Sequence, residues 1–100
     1  METLPTDFAW DPAKAASNLR KHRLAFEVAI EVWDDPDHLL IFDRSERGEE
    51  RWHAIGLVRG VLIVTVVHAY PRPADENMVR IIGARKATAM ERKRYEAHDV

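Results

Sequence analysis

Apolar and polar positions along the chain follow two periods, one helical and one extended, and the change between them falls near Pro36. Asp7-Phe8-Ala9-Trp10 alternates and predicts a short edge strand. Asp11-Pro12 then starts a helix, because aspartate caps free N–H groups and proline suits the first helical position. Ala15, Ala16 and Leu19 give this helix its inner side as far as about His22. Phe26, Ala29, Ile30 and Trp33 recur at helical spacing and predict a second helix. Asp34-Asp35-Pro36 stops it, since proline cannot continue a helix.

Beyond that point the pattern reads as strands. His38 to Phe42 is a short apolar strand, and the polar run Asp43 to Glu50 predicts a hairpin loop. Arg51 to Val58 alternates as a half-buried strand, and Arg59-Gly60 turns it. Val61 to Ala69 is almost continuously apolar and β-branched, which predicts a central strand. Pro71 and Pro73 make Tyr70 to Glu76 a loop. A further strand, Met78 to Ile82, carries Arg80 within it; a bend at Gly83 is then expected to deliver Arg85 and Lys86 into a helix start. Thr88 followed three residues later by Glu91 is a capping box, in which each side chain satisfies a backbone N–H. Behind it comes a basic helix with Arg92, Lys93, Arg94 and Tyr95. The order β-α-α-β-β-β-β-α predicts one α+β domain over residues 1–100, with helices on a mainly antiparallel sheet.

Composition narrows the chemistry more than the fold. The absence of cysteine excludes disulfides, thiolate nucleophiles and thiolate metal sites. It fits a reducing compartment, and the first ten residues lack a signal-peptide pattern, so a cytoplasmic location is expected. The longest apolar run, Val61 to Val67, is too short to span a bilayer, and no membrane partner is expected. The five histidines show no metal spacing, and four glycines form no phosphate loop, so neither a metal nor a cofactor is expected.

The net charge of −2 conceals an asymmetry. Residues 1–50 hold six Lys/Arg against twelve Asp/Glu, whereas residues 51–100 hold nine against five. Six of those nine cations lie between Arg80 and Arg94. A basic end on an otherwise acidic chain points to a local anionic ligand, although a charged helix face is commonly just solvated. His68 ends the most apolar strand, and a single histidine there is ordinarily a satisfied core residue. Arg80 is harder to set aside, because a charge within a central strand is costly unless paired, for example by Glu50 or Glu91. Regular alternation puts Arg80 and Arg85 on opposite faces; they share a site only if Gly83 marks a bulge.

Three runs carry a resemblance: FAWDPAKAASNLRKHRLAFEVAIEVWDDP, DRSERGEERWHAIGLV and VRIIGARKATAMERKRYE. Within them stand N-x-x-K-H (Asn18, Lys21, His22), G-E-x-R (Gly48, Glu49, Arg51), and R-I-I-x-A-R-x-A followed by E-R-x-x-Y. Nearly the whole chain thereby resembles the BrnT toxins of the RelE/ParE-like superfamily of type II toxin–antitoxin systems. Arg23 departs from the pattern, which has glycine after K-H. The resemblance implies a RelE-like fold and an endoribonuclease that arrests translation and is neutralised by a BrnA-like antitoxin.

RNA supplies its own nucleophile, the 2′-OH, so such an enzyme must align that oxygen, stabilise the extra charge and move two protons, with no obligatory metal. On this reading Arg80 and Arg85 clamp the phosphate, His68 is acid or base, and Tyr95 orients the phosphate or shares the proton work. Lys21, His22, Arg51, Lys86 and Arg92 are then RNA contacts. Two other functions fit the same sequence, a ParE-like gyrase inhibitor and a non-enzymatic partner-binding module. The acidic span Glu27 to Glu50, with more than half of the chain's acids, offers a surface for a basic antitoxin segment or simply a solvated face.

Overall fold

The architecture was established from a computed structural model that describes residues 4–98. Strand β1 (Asp7–Trp10) leads into α1 (Pro12–His22), a short α2 (Phe26–Ala29) continues as a 3₁₀ segment (Ile30–Asp34), and four strands follow: β2 (Leu39–Glu46), β3 (Glu49–Val58), β4 (Leu62–Ala69) and β5 (Met78–Lys86). Helix α3 (Ala89–His98) closes the order. The strands form one sheet in the order β1-β5-β4-β3-β2, antiparallel throughout except that β1 runs parallel to β5. The α+β architecture expected from the hydrophobic pattern is therefore present, with β1 as an edge strand and β4 at the centre.

Local chemistry accounts for the element ends. Asp11 accepts the Ala13 N–H at 2.8 Å with Pro12 in the first helical position. Helix α1 ends at Arg23, whose φ of 56° is left-handed while its N–H reaches the Leu19 carbonyl at 2.9 Å. Arginine thus occupies a conformation that suits glycine, at a modest cost in strain. Two hairpin turns have positive φ at consecutive residues, Arg47-Gly48 and Arg59-Gly60; the first is a two-residue turn with the twist such hairpins favour, and Val61 adds a third residue to the second.

Two expected boundaries are corrected. The polar run Asp43 to Glu50 is not a loop: β2 extends to Glu46, β3 begins at Glu49, and only Arg47 and Gly48 turn. This end of the hairpin has solvent on both sides, so apolar alternation is absent although the ladder persists. Nor does the chain bend into a helix at Gly83, because β5 runs on to Lys86.

The helices α1 and α2 with its 3₁₀ extension cover one face of the sheet. Phe26, Ala29, Val32 and Trp33 meet Ala54, Val58, Val64, Val66, Val79, Ile81 and Ala84 in the main core. Two close approaches lock this layer. Asn18 is buried, donates to the Leu24 carbonyl at 2.9 Å and accepts the Ala84 N–H at 3.1 Å, tying α1 to β5. At Gly56 a Cβ would lie 3.0 Å from both the side chain and the carbonyl oxygen of Val32, so β3 meets the 3₁₀ segment backbone to backbone. Helix α3 lies against the opposite face. The Tyr95 hydroxyl donates to Asp35, which also accepts the Leu57 and Asp37 N–H groups. Partial burial opposes ionisation of Asp35, but those bonds and nearby His38 outweigh it and hold the carboxyl below its usual range.

Candidate functional site

Register decides which side chains meet. Val67 pairs with Gly83 and His68 with Ile81, so Ile82 is an extra residue on β5, a bulge beside Gly83. One added residue turns the five-residue spacing of Arg80 and Arg85 into a same-face spacing. Burial agrees: Val79, Ile81 and Ala84 enter the core, while Arg80 and Arg85 are half-buried on the other side. Arg80 stands opposite Ala69 and Arg85 opposite Thr65 on β4; His53 stands opposite Val67 and Ile55 opposite Thr65. Cross-strand partners share a face, so Arg80, Arg85 and His53 converge, with Arg51 two residues before His53 on the same strand.

A network of ion pairs joins these groups. Arg85 donates to Glu91 through both terminal nitrogens, at 2.6 and 3.0 Å. Arg80 donates to Glu49, and Arg51 lies 3.6 Å from Glu49 and 3.7 Å from Glu46. The His53 ring stands between two carboxylates, with Nε2 3.7 Å from Asp43 and Nδ1 3.7 Å from Glu91. Asp43 is itself the extra residue of a second bulge, on β2 between Phe42 and Arg44. Burial works against the charge on Glu91, yet Arg85, the Thr88 N–H and the Thr65 hydroxyl hold its pKa down to about 2. Three guanidinium groups thus face four carboxylates. The basic half of the chain does not make a bare cationic pocket but a compensated one, where an anion must compete with glutamates for arginine N–H donors.

The other expected site residues are dispersed. His68 lies on the core face of β4, fully buried, with its ring 5.0 Å from Trp33 and 5.2 Å from Tyr70. Burial lowers its pKa to about 4, and its ring nitrogens face the Val66 carbonyl at 3.4 Å and the Tyr70 hydroxyl at 3.3 Å. The expected convergence of His68 with the arginines is thereby corrected, because the strand alternation turns it to the opposite face. Tyr95 is buried and anchors α3 to Asp35, outside the arginine cluster. Lys21 and His22 flank a shallow groove with Lys14, Asn18 and Ile82, across the sheet from the arginines. Lys86 and Arg92 are exposed beside Arg85 and Glu91 in sequence. Arg51, Arg80 and Arg85 are brought together. A cleft of about 600 Å³ lined by Trp33, His38, Leu40, Tyr70, Glu76 and His98 contains none of them.

His53 is the residue that sequence reasoning missed. Its signal was present: Arg51-Trp52-His53 on an alternating strand puts a guanidinium and an imidazole on one face. What the sequence withheld was which strands lie beside that pair.

These contacts define a small α+β sheet protein with a charge-compensated cluster of arginines, an imidazole and carboxylates on one face. The profile of the family described as the ribonuclease toxin BrnT of type II toxin–antitoxin systems matches residues 10–91, and the chain belongs to that family. Membership implies an antitoxin protein as partner and RNA as target. Among solved structures, the fold is similar to the 1.1 Å crystal structure of the Brucella abortus ribonuclease toxin BrnT. That match has a TM-score of 0.59 and 22% identity over 83% of this chain and 99% of that one. No curated protein matches the chain. Among the described residues, no helix is long and apolar enough to cross a membrane.

Proposed function

We propose that this toxin is an endoribonuclease that cleaves RNA through attack of the 2′-OH on the adjacent phosphate, without a metal, and that a BrnA-like antitoxin neutralises it in the cytoplasm. The observation that carries the reading is the β5 bulge at Ile82, which brings Arg80 and Arg85 onto the face that holds His53 and Arg51. Arg80, exchanging its Glu49 carboxylate for phosphate, and Arg85, through the N–H donors that Glu91 leaves free, take the non-bridging phosphate oxygens and stabilise the charge that grows in the transition state. His53 removes the 2′-OH proton or protonates the departing 5′ oxygen, as imidazole is the side chain suited to both tasks near neutrality. Arg51, Lys86 and Arg92 extend the contact along the RNA backbone, which positions the strand without reading its sequence. His68 and Tyr95 support the fold.

Cleavage of labelled RNA by the purified protein in EDTA tests the reading. The expected products end in a 2′,3′-cyclic phosphate, and Arg80→Ala and His53→Ala reduce the rate. Intact RNA, free or on ribosomes, in the presence of folded protein overturns it.

A further inference from the structure

We infer that Glu91 is a positioning residue for this reaction: the glutamate that caps α3 also sets Arg85 and His53 in place through its carboxylate. The inference rests on the ribonuclease reading above. A capping glutamate needs one backbone N–H as its partner. Glu91 has that bond, from Thr88 N–H to Oε1 at 2.9 Å, and the reciprocal bond from its own N–H to Thr88 Oγ1 at 3.2 Å. It also accepts the Thr65 hydroxyl at 3.0 Å and both terminal nitrogens of Arg85, and its Oε2 lies 3.7 Å from His53 Nδ1. One carboxylate, 15% exposed, therefore joins α3 to β3, β4 and β5.

The consequence follows from geometry. A guanidinium held at two nitrogens by one carboxylate has its plane fixed, and its remaining N–H donors point in set directions toward a phosphate. Around His53 the facing groups are Asp43 from β2, Glu91 from α3, Thr65 and Val67 from β4, Arg85 from β5 through Glu91, and Arg51 along its own strand. Glu91 contacts both Arg85 and the imidazole directly, whereas Asp43, the other carboxylate beside His53, acts on Arg85 only through its charge.

Two variants separate positioning from capping. Glutamine serves in a capping box as glutamate does, so Glu91→Gln keeps the helix start and removes the charge. Thr88→Ala removes a cap and leaves the carboxylate on Arg85 and His53. Glu91→Gln is expected to lower kcat per folded molecule roughly a hundredfold, the scale of a small misplacement of catalytic groups, and to lower Tm as well, because the ion pair with Arg85 is lost. Thr88→Ala is expected to lower Tm and leave kcat unchanged. The His53 ring ¹H–¹⁵N signals shift in Glu91→Gln and stay in place in Thr88→Ala. Parental kcat in Glu91→Gln, or equal kcat losses in the two variants, overturns the inference. If the parent protein cleaves no RNA the ribonuclease reading fails by itself, and the NMR comparison then judges positioning alone: unmoved His53 signals in Glu91→Gln overturn it.

Discussion

The two faces of the sheet use the same residue types to opposite ends. His68 and His53 sit on adjacent strands, one on each face. His68 is closed in by Trp33 and Tyr70 on the helix-covered side. His53 stands between Asp43 and Glu91 on the other. The first face is filled with apolar side chains; the second holds arginines and carboxylates that keep part of their contact with water. An imidazole in the core adds packing and a liability toward acid. In the proposed reaction, an imidazole among charges on the other face is placed to move protons. What the contrast teaches is that a histidine's role follows from its face, and its face follows from strand register.

The largest effect that tests this contrast is on catalysis. Arg85→Ala should lower kcat/KM by about 10²–10³-fold, roughly 2.7–4 kcal/mol of transition-state stabilisation, as for other lost oxyanion donors. His68→Phe should retain cleavage, because the ring lies across the sheet from the clamp. Steady-state kinetics on one labelled RNA measures both, and a His68→Phe loss as large as that of Arg85→Ala would collapse the distinction between the faces.

Acid should then separate the faces through stability. The unfolded His68 takes up a proton near 6.5, whereas in the fold burial lowers its pKa to about 4. The unfolded state therefore binds more protons between those values, and stability falls as the pH drops from 6.5 through 4, by on the order of 3 kcal/mol. Glu91 acts lower: its contribution is complete above its ordinary 4.5 and is lost as the pH falls toward about 2. Urea midpoints measured from pH 7 to pH 4 should decline steeply in the parent protein and much less in His68→Phe.

Packing comes next in size. Gly56→Ala places a Cβ 3.0 Å from the Val32 carbonyl oxygen, so β3 and the 3₁₀ segment must separate. The cost should be about 1–3 kcal/mol by urea unfolding, as for other overpacked positions, with cleavage per folded molecule preserved. The smallest effect is expected at Trp52. Its buried indole N–H has no hydrogen-bond partner among the described residues, so Trp52→Phe removes an unsatisfied donor along with some apolar area. The two changes oppose each other, and the unfolding midpoint should stay near that of the parent.

Much of this fold was legible along the chain because its signals are local. Asp11 and Pro12 start α1, Thr88 and Glu91 cap α3 reciprocally, and Arg59-Gly60 turns a hairpin, each through contacts only a few residues apart. Helical and alternating apolar periods separated helices from strands for the same reason. The combination of N-x-x-K-H, G-E-x-R and R-I-I-x-A-R-x-A was sufficient for the family, which the profile match over residues 10–91 shows. The site was not legible in this way. The Ile82 bulge is a fact about β4 and β5 together, and it alone puts Arg80 and Arg85 on one face. The parity of β4 turned His68 inward, and the pairing of β3 with β4 brought His53 toward Arg85. Sequence by itself determined the order of the elements and most of their ends, with the β2–β3 hairpin and the end of β5 as exceptions. Only the tertiary structure decided which charges meet, because a one-residue shift in pairing exchanges the faces of a strand while leaving its sequence pattern unchanged.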